Sequence, residues 1–489
     1  MQRSLVALVV ALSGTCGCER STDSRSAQVV STIVRADYAS FRARPSLMAA
    51  KLRRMRDGAY DYYRGTYPVF VRDALEGDPR AQTSFARSAM VAGIGDAHPE
   101  NVGVLIGADG TLGLEFNDFD AADRVPYAWD LRRLATGLVV ATHVSNSDDA
   151  AARDALVAAA PSVARAAVRG YLQALRRYAQ GAPRERVVAP TNAPNLDDLF
   201  RRGARDMARR RELDELTALT GATRALIRGA PDPSSPDTVF ADLPSAAREA
   251  LPALFERYRS RLTVPRDPAY FTVLDAVRHY GSGVASLPRV RLLVLVRGPT
   301  DAPDDDVILE LKELGDSGAP ATVPPYVWAD SVAQRVRSNA YVAWGGAERE
   351  PLWSTEEWLG VPVQIRLESE GQKNLRAARM TGELGTPASV EATATVLGAL
   401  LARVHASTDD GMLSARAILA SVEARSEDEF VSEHANASVA YAEQSLSDWR
   451  GFRDELALRG PLLGFVGDPE DRPRSDVWSQ LSAGSDGAR

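Results

Sequence analysis

The carboxylates Asp96, Asp118 and Asp120 and the amide Asn101 stand at fixed spacing in Gly95-Asp96-Ala97-His98-Pro99-Glu100-Asn101 and Asn117-Asp118-Phe119-Asp120. An Asn and an Asp brought side by side can hold a hard cation through oxygen ligands. An Asp five residues before that Asn can accept the proton of an attacking hydroxyl. Asp96 is therefore the candidate general base or hydroxyl positioner. Asn101 and Asp118 are candidate metal ligands, and Asp120 is an auxiliary ligand or part of a second metal site. The chemistry these types suit is metal-assisted phosphoryl transfer. Turn formation is the plain alternative, because Asn and Asp favour turns. A zinc site built on His98 and Glu100 lacks a second His or Cys at ligand spacing.

The elements that must position these groups are legible around them. Val102 to Ile106 is an apolar run, Ala108-Asp109-Gly110 a tight turn, and Leu112 to Phe116 a second strand. Such a hairpin returns Asn101 and Asp118 to each other's side. Asp130 to His143 reads as a helix with Leu131, Leu134, Ala135 and Leu138 on one stripe. Pro161 to Tyr178 is another. Pro45-Ser46 starts a helix in a helical stretch from 28 to 90, and Thr386-Pro387 caps a helix reaching residue 406, which carries His405 in a core or interface role. Asp130 accepts backbone N–H bonds or caps its own helix.

The character of the chain changes near residue 270. Val290, Leu292, Val294 and Val296 alternate in a stretch that carries Arg289, Arg291 and Arg297, Asp301 to Asp306 is an acidic turn, and Val307 to Leu311 is a second strand with Ile308, Glu310 and Lys312 on one face. The preceding Gly281-Ser282-Gly283 can bring backbone N–H groups close to phosphate. Lys312 can reach an α- or β-phosphate. These residues form a candidate nucleotide-binding set, against the alternative of an ordinary β-turn. Arg64 is a candidate phosphate contact, with an ion pair as its other reading. Arg201-Arg202 and Arg209-Arg210-Arg211 read as a solvated helix face, with an anion site as the other reading.

The first block resembles the catalytic loop of the protein-kinase-like superfamily in its aminoglycoside- and choline-kinase branch. There Gly-Asp-x-His-x-x-Asn precedes a metal-binding Asp-Phe-Asp/Glu across a hairpin. Tyr127-Ala128-Trp129-Asp130-Leu131-Arg132-Arg133-Leu134-Ala135 is similar to the helix start that follows the metal site in that branch. More closely, the chain resembles the bacterial family named domain of unknown function 2252. That family joins Gly-Asp-Ala-His-x-x-Asn, Asn-Asp-Phe-Asp and Trp-Asp-Leu-x-Arg-Leu-Ala in this order. Tyr62-Tyr63-Arg64-Gly65 and Tyr441-Ala442-Glu443-Gln444 match further elements of it, so the likeness spans roughly 45 to 455. The resemblance implies a structural role for His98 and a strand Lys-Glu at Lys312-Glu313. It also implies a permuted kinase-like fold, because the glycine loop and lysine follow the catalytic loop instead of preceding it. Kinases pair that lysine with a glutamate on a following helix. The corresponding helix, Ser331 to Trp344, has no acidic residue near Ser338.

At 489 residues the chain has room for two or three domains, and its net charge of −7 disfavours a nucleic-acid partner. Arg3, the apolar Leu5 to Leu12 and Cys16-Gly17-Cys18 read as an export signal with a lipoprotein-like cleavage site. Both cysteines lie there, and Cys18 is the lipidation candidate. The expected organisation is a signal (1–18), a tether and first helix (19–44), and a helical catalytic lobe with the metal-site hairpin (45–265). A β-rich nucleotide-lobe-like segment (266–380), C-terminal helices (381–467) and a loose tail (468–489) follow. The fold class is α+β, a protein-kinase-like two-lobe fold with permuted lobe order, a mostly helical large lobe and a small antiparallel β lobe. The expected function is Mg²⁺-dependent phosphoryl transfer from ATP or another nucleotide to an unknown hydroxyl acceptor. The other reading is a catalytically weak or inactive kinase-like, ligand-binding lipoprotein of the bacterial envelope. The expected location is the periplasm-facing envelope, with a membrane contact through the lipid and a small-molecule or envelope acceptor.

Overall fold

The hairpin and the helix after it form near where the sequence pattern places them. Strands Val102–Ile106 and Leu112–Phe116 pair antiparallel in the register Val102 to Phe116, and the tip turns at Gly110, whose φ is +76°. Helix Tyr127–His143 follows. It is buried almost all round, because helices Ala160–Ala179, Pro387–His405 and Glu427–Arg459 surround it. These facts come from a computed structural model that describes residues 24–81, 89–209, 211–229, 240–279, 283–317, 331–368, 371–406, 411–423 and 425–468. The expected signal, Cys18 with its lipidation role, most of the expected tail, Gly281 and Ser282 lie outside the described residues.

The protein is mixed α+β, and the strands among the described residues pair antiparallel. A six-stranded sheet runs in the order Ser354–Trp358, Val361–Leu367, Val307–Glu313, Arg291–Val296, Val273–His279, Phe240–Asp242. One face is apolar: Leu309 and Leu311 pack with Leu254, Phe255 and Tyr258 of helix Leu251–Arg261. The sheet therefore draws in residues before the expected boundary at 266, since the buried apolar residues of that helix share one cluster with it. Two pieces of the expected 266–380 segment go the other way. Helix Val332–Trp344 packs Val336, Ala340 and Trp344 into the helical core. Lys373–Asn374 adds a short strand to the hairpin at Gly103 and Val104. Through them the sheet and the helical body are tied together beside the hairpin. None of the described helices is long and apolar enough to cross a membrane.

Candidate functional site

The hairpin register carries past its strands. Asn117 N–H donates to the Asn101 carbonyl at 3.0 Å, so the segments holding Asn101 and Asp118 lie side by side. Asn101 Nδ2 donates to the Asp96 carbonyl at 2.9 Å, which leaves Oδ1 as its acceptor toward a cation. Gly95 is required where the loop turns. Its φ is +80°, and a Cβ there would stand 2.1 Å from the Ala121 carbonyl oxygen.

Two buried charges aim this loop. Asp130 accepts the N–H groups of Ile94 at 2.6 Å and Gly95 at 2.9 Å, so its loop-bracing reading is the one realised. Behind it stand His405, with Nε2 3.1 Å from Asp130 Oδ2, and Tyr171, whose hydroxyl lies 2.7 Å from His405 Nδ1. Arg133 Nε donates to Asp96 Oδ1 at 2.7 Å while its guanidinium lies over the Tyr63 ring. Burial pushes the Asp96 carboxyl above its usual range; Arg133 opposes that shift and Asp118 adds to it. His98 is buried, and burial next to Arg64 and Arg133 pushes its pKa well down, so its ring is neutral. Its Nε2 is 3.7 Å from Asp96 Oδ2, beyond hydrogen-bonding range, and the ring meets the edge of Tyr60.

Lys312 reaches the opposite side of the same site. Its ammonium is 2.7 Å from Asp120 Oδ2 and 3.2 Å from Asp118 Oδ2, and Arg289 Nη1 lies 2.6 Å from Asp120 Oδ2. Burial works against ionisation of Asp118. Lys312, the Asp120 N–H and Arg289 together outweigh it and hold the carboxyl well below its usual range. The carboxylate partners of Lys312 thus come from the hairpin loop. Helix Val332–Trp344 contributes Arg335 instead of a glutamate, and its guanidinium donates to the carbonyls of Asp120, Ala122 and Gly315.

Two cavities meet here. One, of about 490 Å³, is lined by Asp96, His98, Asn101, Asp118 and Asp120 together with residues of the first helices, among them Asp37, Lys51 and Tyr67. The other, of about 550 Å³, is lined by Asn101, Asp118, Gly283 and Lys312 and by the sheet. Arg64 borders both, but it is ion-paired with Glu100 at 3.0 Å and Asp61 at 3.4 Å. Glu100 is further committed to the Ala377 N–H at 2.9 Å, which removes it from any zinc site. Arg202 also faces the second cavity and pairs with Asp198 at 2.9 Å.

The donor set suits a hard cation that shares its shell with a phosphate. Among the described residues no group of three or more His, Cys, Asp or Glu side chains forms a metal cage. What is present is one amide oxygen, an ionised Asp118, and Asp120 Oδ1, which is buried without a hydrogen-bond partner. Mg²⁺ characteristically takes one or two carboxylates and fills the rest of its shell with water and substrate phosphate.

The chain matches, over residues 42–455, the family described as "Uncharacterized protein conserved in bacteria (DUF2252)". It belongs to this family. No curated protein and no solved structure matches it. Of the blocks that carry the resemblance, the Asp96 loop, the Asp118 loop and Arg64 line the two cavities and the Asp130 helix braces the first loop, whereas Tyr441 bonds Asp73 and is in neither lining.

Within the family block Trp129–Ala135 the sequence reading passed over Arg133, which holds Asp96. Its signal was a charge amid an apolar helix, on the side of Asp130, Leu134 and Gly137. Arg289 and Arg335, which hold the Asp120 loop, gave no comparable signal. They lie 169 and 215 residues from Asp120, and their partners are set by how the sheet seats on the helical body.

Proposed function

We propose that this protein is a kinase-like phosphotransferase, in which a phosphoanhydride donor lies in the sheet-side cavity and a hydroxyl acceptor in the cavity toward the N-terminal helices. The observation that carries the reading is the position of Asn101 and Asp118 in the walls of both cavities, with Asp96 on one side and Lys312 on the other. A divalent ion held by Asn101, Asp118 and Asp120 would supply charge neutralisation between donor phosphate oxygens. Arg133 holds one oxygen of Asp96, and the other is left to orient the acceptor hydroxyl and take its proton. Lys312 neutralises charge on the transferred group. The kinase-like, permuted arrangement of helical body and sheet belongs to this reading, supported by the order of the Asp96 loop, the hairpin, the Asp118 loop and the later strand lysine.

The test is a thermal titration of the full chain with Mg²⁺ and phosphoanhydrides. A bound ligand raises the melting temperature with concentration, and Asp118→Ala abolishes the rise. Absence of any shift, with Asp118→Ala indistinguishable from the wild type, overturns the reading. The ligand-binding alternative has one observation in its favour, namely that Lys312 already neutralises both metal-site carboxylates. Ligand binding that needs no divalent ion and no Asp96, with no phosphorylated product, would establish it.

Export and lipid attachment at Cys18 belong to the same proposal and rest on the N-terminal sequence. Detergent-phase partitioning lost in Cys18→Ser supports the anchor, and equal partitioning of both forms removes it.

A further inference from the structure

The wall of the donor-side cavity says what kind of donor it takes. This inference rests on the phosphotransferase reading above. Strand Val307–Glu313 turns Ile308, Glu310 and Lys312 to one face. At the Ile308 end that face is apolar, packed with Val277, Leu293 and Leu295 under Leu213 and Leu226. Toward the cavity it becomes charged. Lys312 stands opposite Arg291 and Gln364, and Glu310 opposite Arg366. Arg291 and Arg366 both bond Glu310, the latter at 2.9 Å. Two guanidiniums therefore share the Glu310 carboxylate, with Glu368 beside Arg366 as a second carboxyl in the same wall.

Buried charge of this kind is costly. Apolar residues of the same size would stabilise the sheet equally or better, so the change of character at the cavity needs a ligand to explain it. A nucleobase presents two apolar faces and is gripped by aliphatic or aromatic side chains. Among the described lining residues of this cavity, Val284 is the one aliphatic side chain and His279, stacked on Phe240, the one aromatic ring. Phosphate oxygens, by contrast, match arginine forks in bidentate geometry.

We propose that the donor is a phosphoanhydride without a base, pyrophosphate or a short inorganic polyphosphate, held through its phosphate chain by Arg291, Arg366 and Lys312. In the transfer the acceptor oxygen forms a bond to the terminal phosphorus, and the bridging P–O bond breaks. The acceptor's proton passes to Asp96. The electron pair of the broken bond leaves on the phosphate chain, now shorter by one unit.

The experiment titrates the full chain with tripolyphosphate, ATP and adenosine in the presence of Mg²⁺, by calorimetry and thermal shift. Tripolyphosphate is expected to bind at least as tightly as ATP, and adenosine to give no shift. Arg366→Leu is expected to weaken tripolyphosphate tenfold or more, and Arg366→Lys, which keeps the charge and the fold, to weaken it less. ATP binding tenfold tighter than tripolyphosphate, or a shift by adenosine alone, overturns the inference and leaves the phosphotransferase reading standing. No binding by any of the three overturns both.

Discussion

Lys312 and Asp118, 194 residues apart in sequence, meet in an ammonium–carboxylate contact of 3.2 Å across the line where the sheet seats on the helical body. Asp120 completes it at 2.7 Å from the same ammonium. A cation from the protein thus stands against the carboxylates assigned to a metal ion. The two cations compete unless a donor phosphate draws Lys312 away.

That competition predicts opposite effects of one substitution. Lys312→Met removes the resident cation, so Mg²⁺ or Mn²⁺ binding in the absence of a donor should tighten about tenfold, as for loss of a close like charge. Donor binding should weaken and transfer should be lost. Calorimetric metal titration of the two forms reads the first effect. An unchanged metal affinity would separate Lys312 from the metal site.

Asp96 divides binding from chemistry. Its outer carboxylate oxygen has no structural bond that depends on charge, whereas its inner one is held by Arg133. Asp96→Asn is expected to leave donor affinity unchanged, to weaken metal binding slightly by removing a nearby negative charge, and to lower kcat about 100- to 10,000-fold. The acid limb of the kcat/KM profile should lie above the ordinary carboxylate value of 3.8, because burial raises Asp96. Arg133 opposes that rise, so Arg133→Gln should move the limb further toward neutral pH, and Arg133→Lys should restore much of it. A limb that stays in place would show that Arg133 acts on folding alone.

Tyr67 offers a handle on the acceptor. Its hydroxyl is buried without a hydrogen-bond partner, and the residue lines the cavity of Asp96 and Lys51. A buried hydroxyl left unpaired costs about 1–3 kcal/mol, which a ligand oxygen would recover. Tyr67→Phe should therefore raise the KM for the acceptor several-fold or more while donor affinity holds, and it should stabilise the free protein slightly. Equal acceptor KM in both forms would place the acceptor elsewhere.

The elements that bear the site were legible in the sequence because apolar periodicity is a local property. The hairpin, the helix of Asp130 and the strand of Lys312 appear within a residue or two of the expected bounds at most ends. The helix of Asp130 starts three residues earlier than expected, at Tyr127. The partners of the site were less legible. Lys312 with Asp118, and Arg289 with Asp120, depend on how two packed bodies meet, which no window of sequence records. Strand Phe240–Asp242 was missed because it is three residues long, and an edge position needs little apolar pattern. His98 shows the limit of a residue-by-residue reading. A structural role for it names no partner, and in the fold its ring lies too far from Asp96 to bond it and meets the edge of Tyr60.

Glu350 supplies a pH test of the fold itself. It follows the short turn Ala347–Arg349, is 2% exposed, and accepts a bond from Gln372 at 2.9 Å. Burial pushes its carboxyl from the ordinary 4.5 up to about 7; Arg366 and Gln372 oppose the shift and Glu310 adds to it. A carboxyl whose pKa is higher folded than unfolded favours the folded state fully below the unfolded value. That contribution is lost as pH rises toward the folded value. Between pH 4.5 and about 7 the protein should therefore lose about 3 kcal/mol on this account, and no more above that. Glu350→Gln keeps an oxygen for Gln372 and has no charge to bury. In urea melts it should match the wild type near pH 4 and exceed its stability by that margin at pH 8. A variant that is less stable at pH 8 would mean that Arg366 holds the ionised Glu350 more strongly than its burial opposes, so that folding lowers the carboxyl instead of raising it.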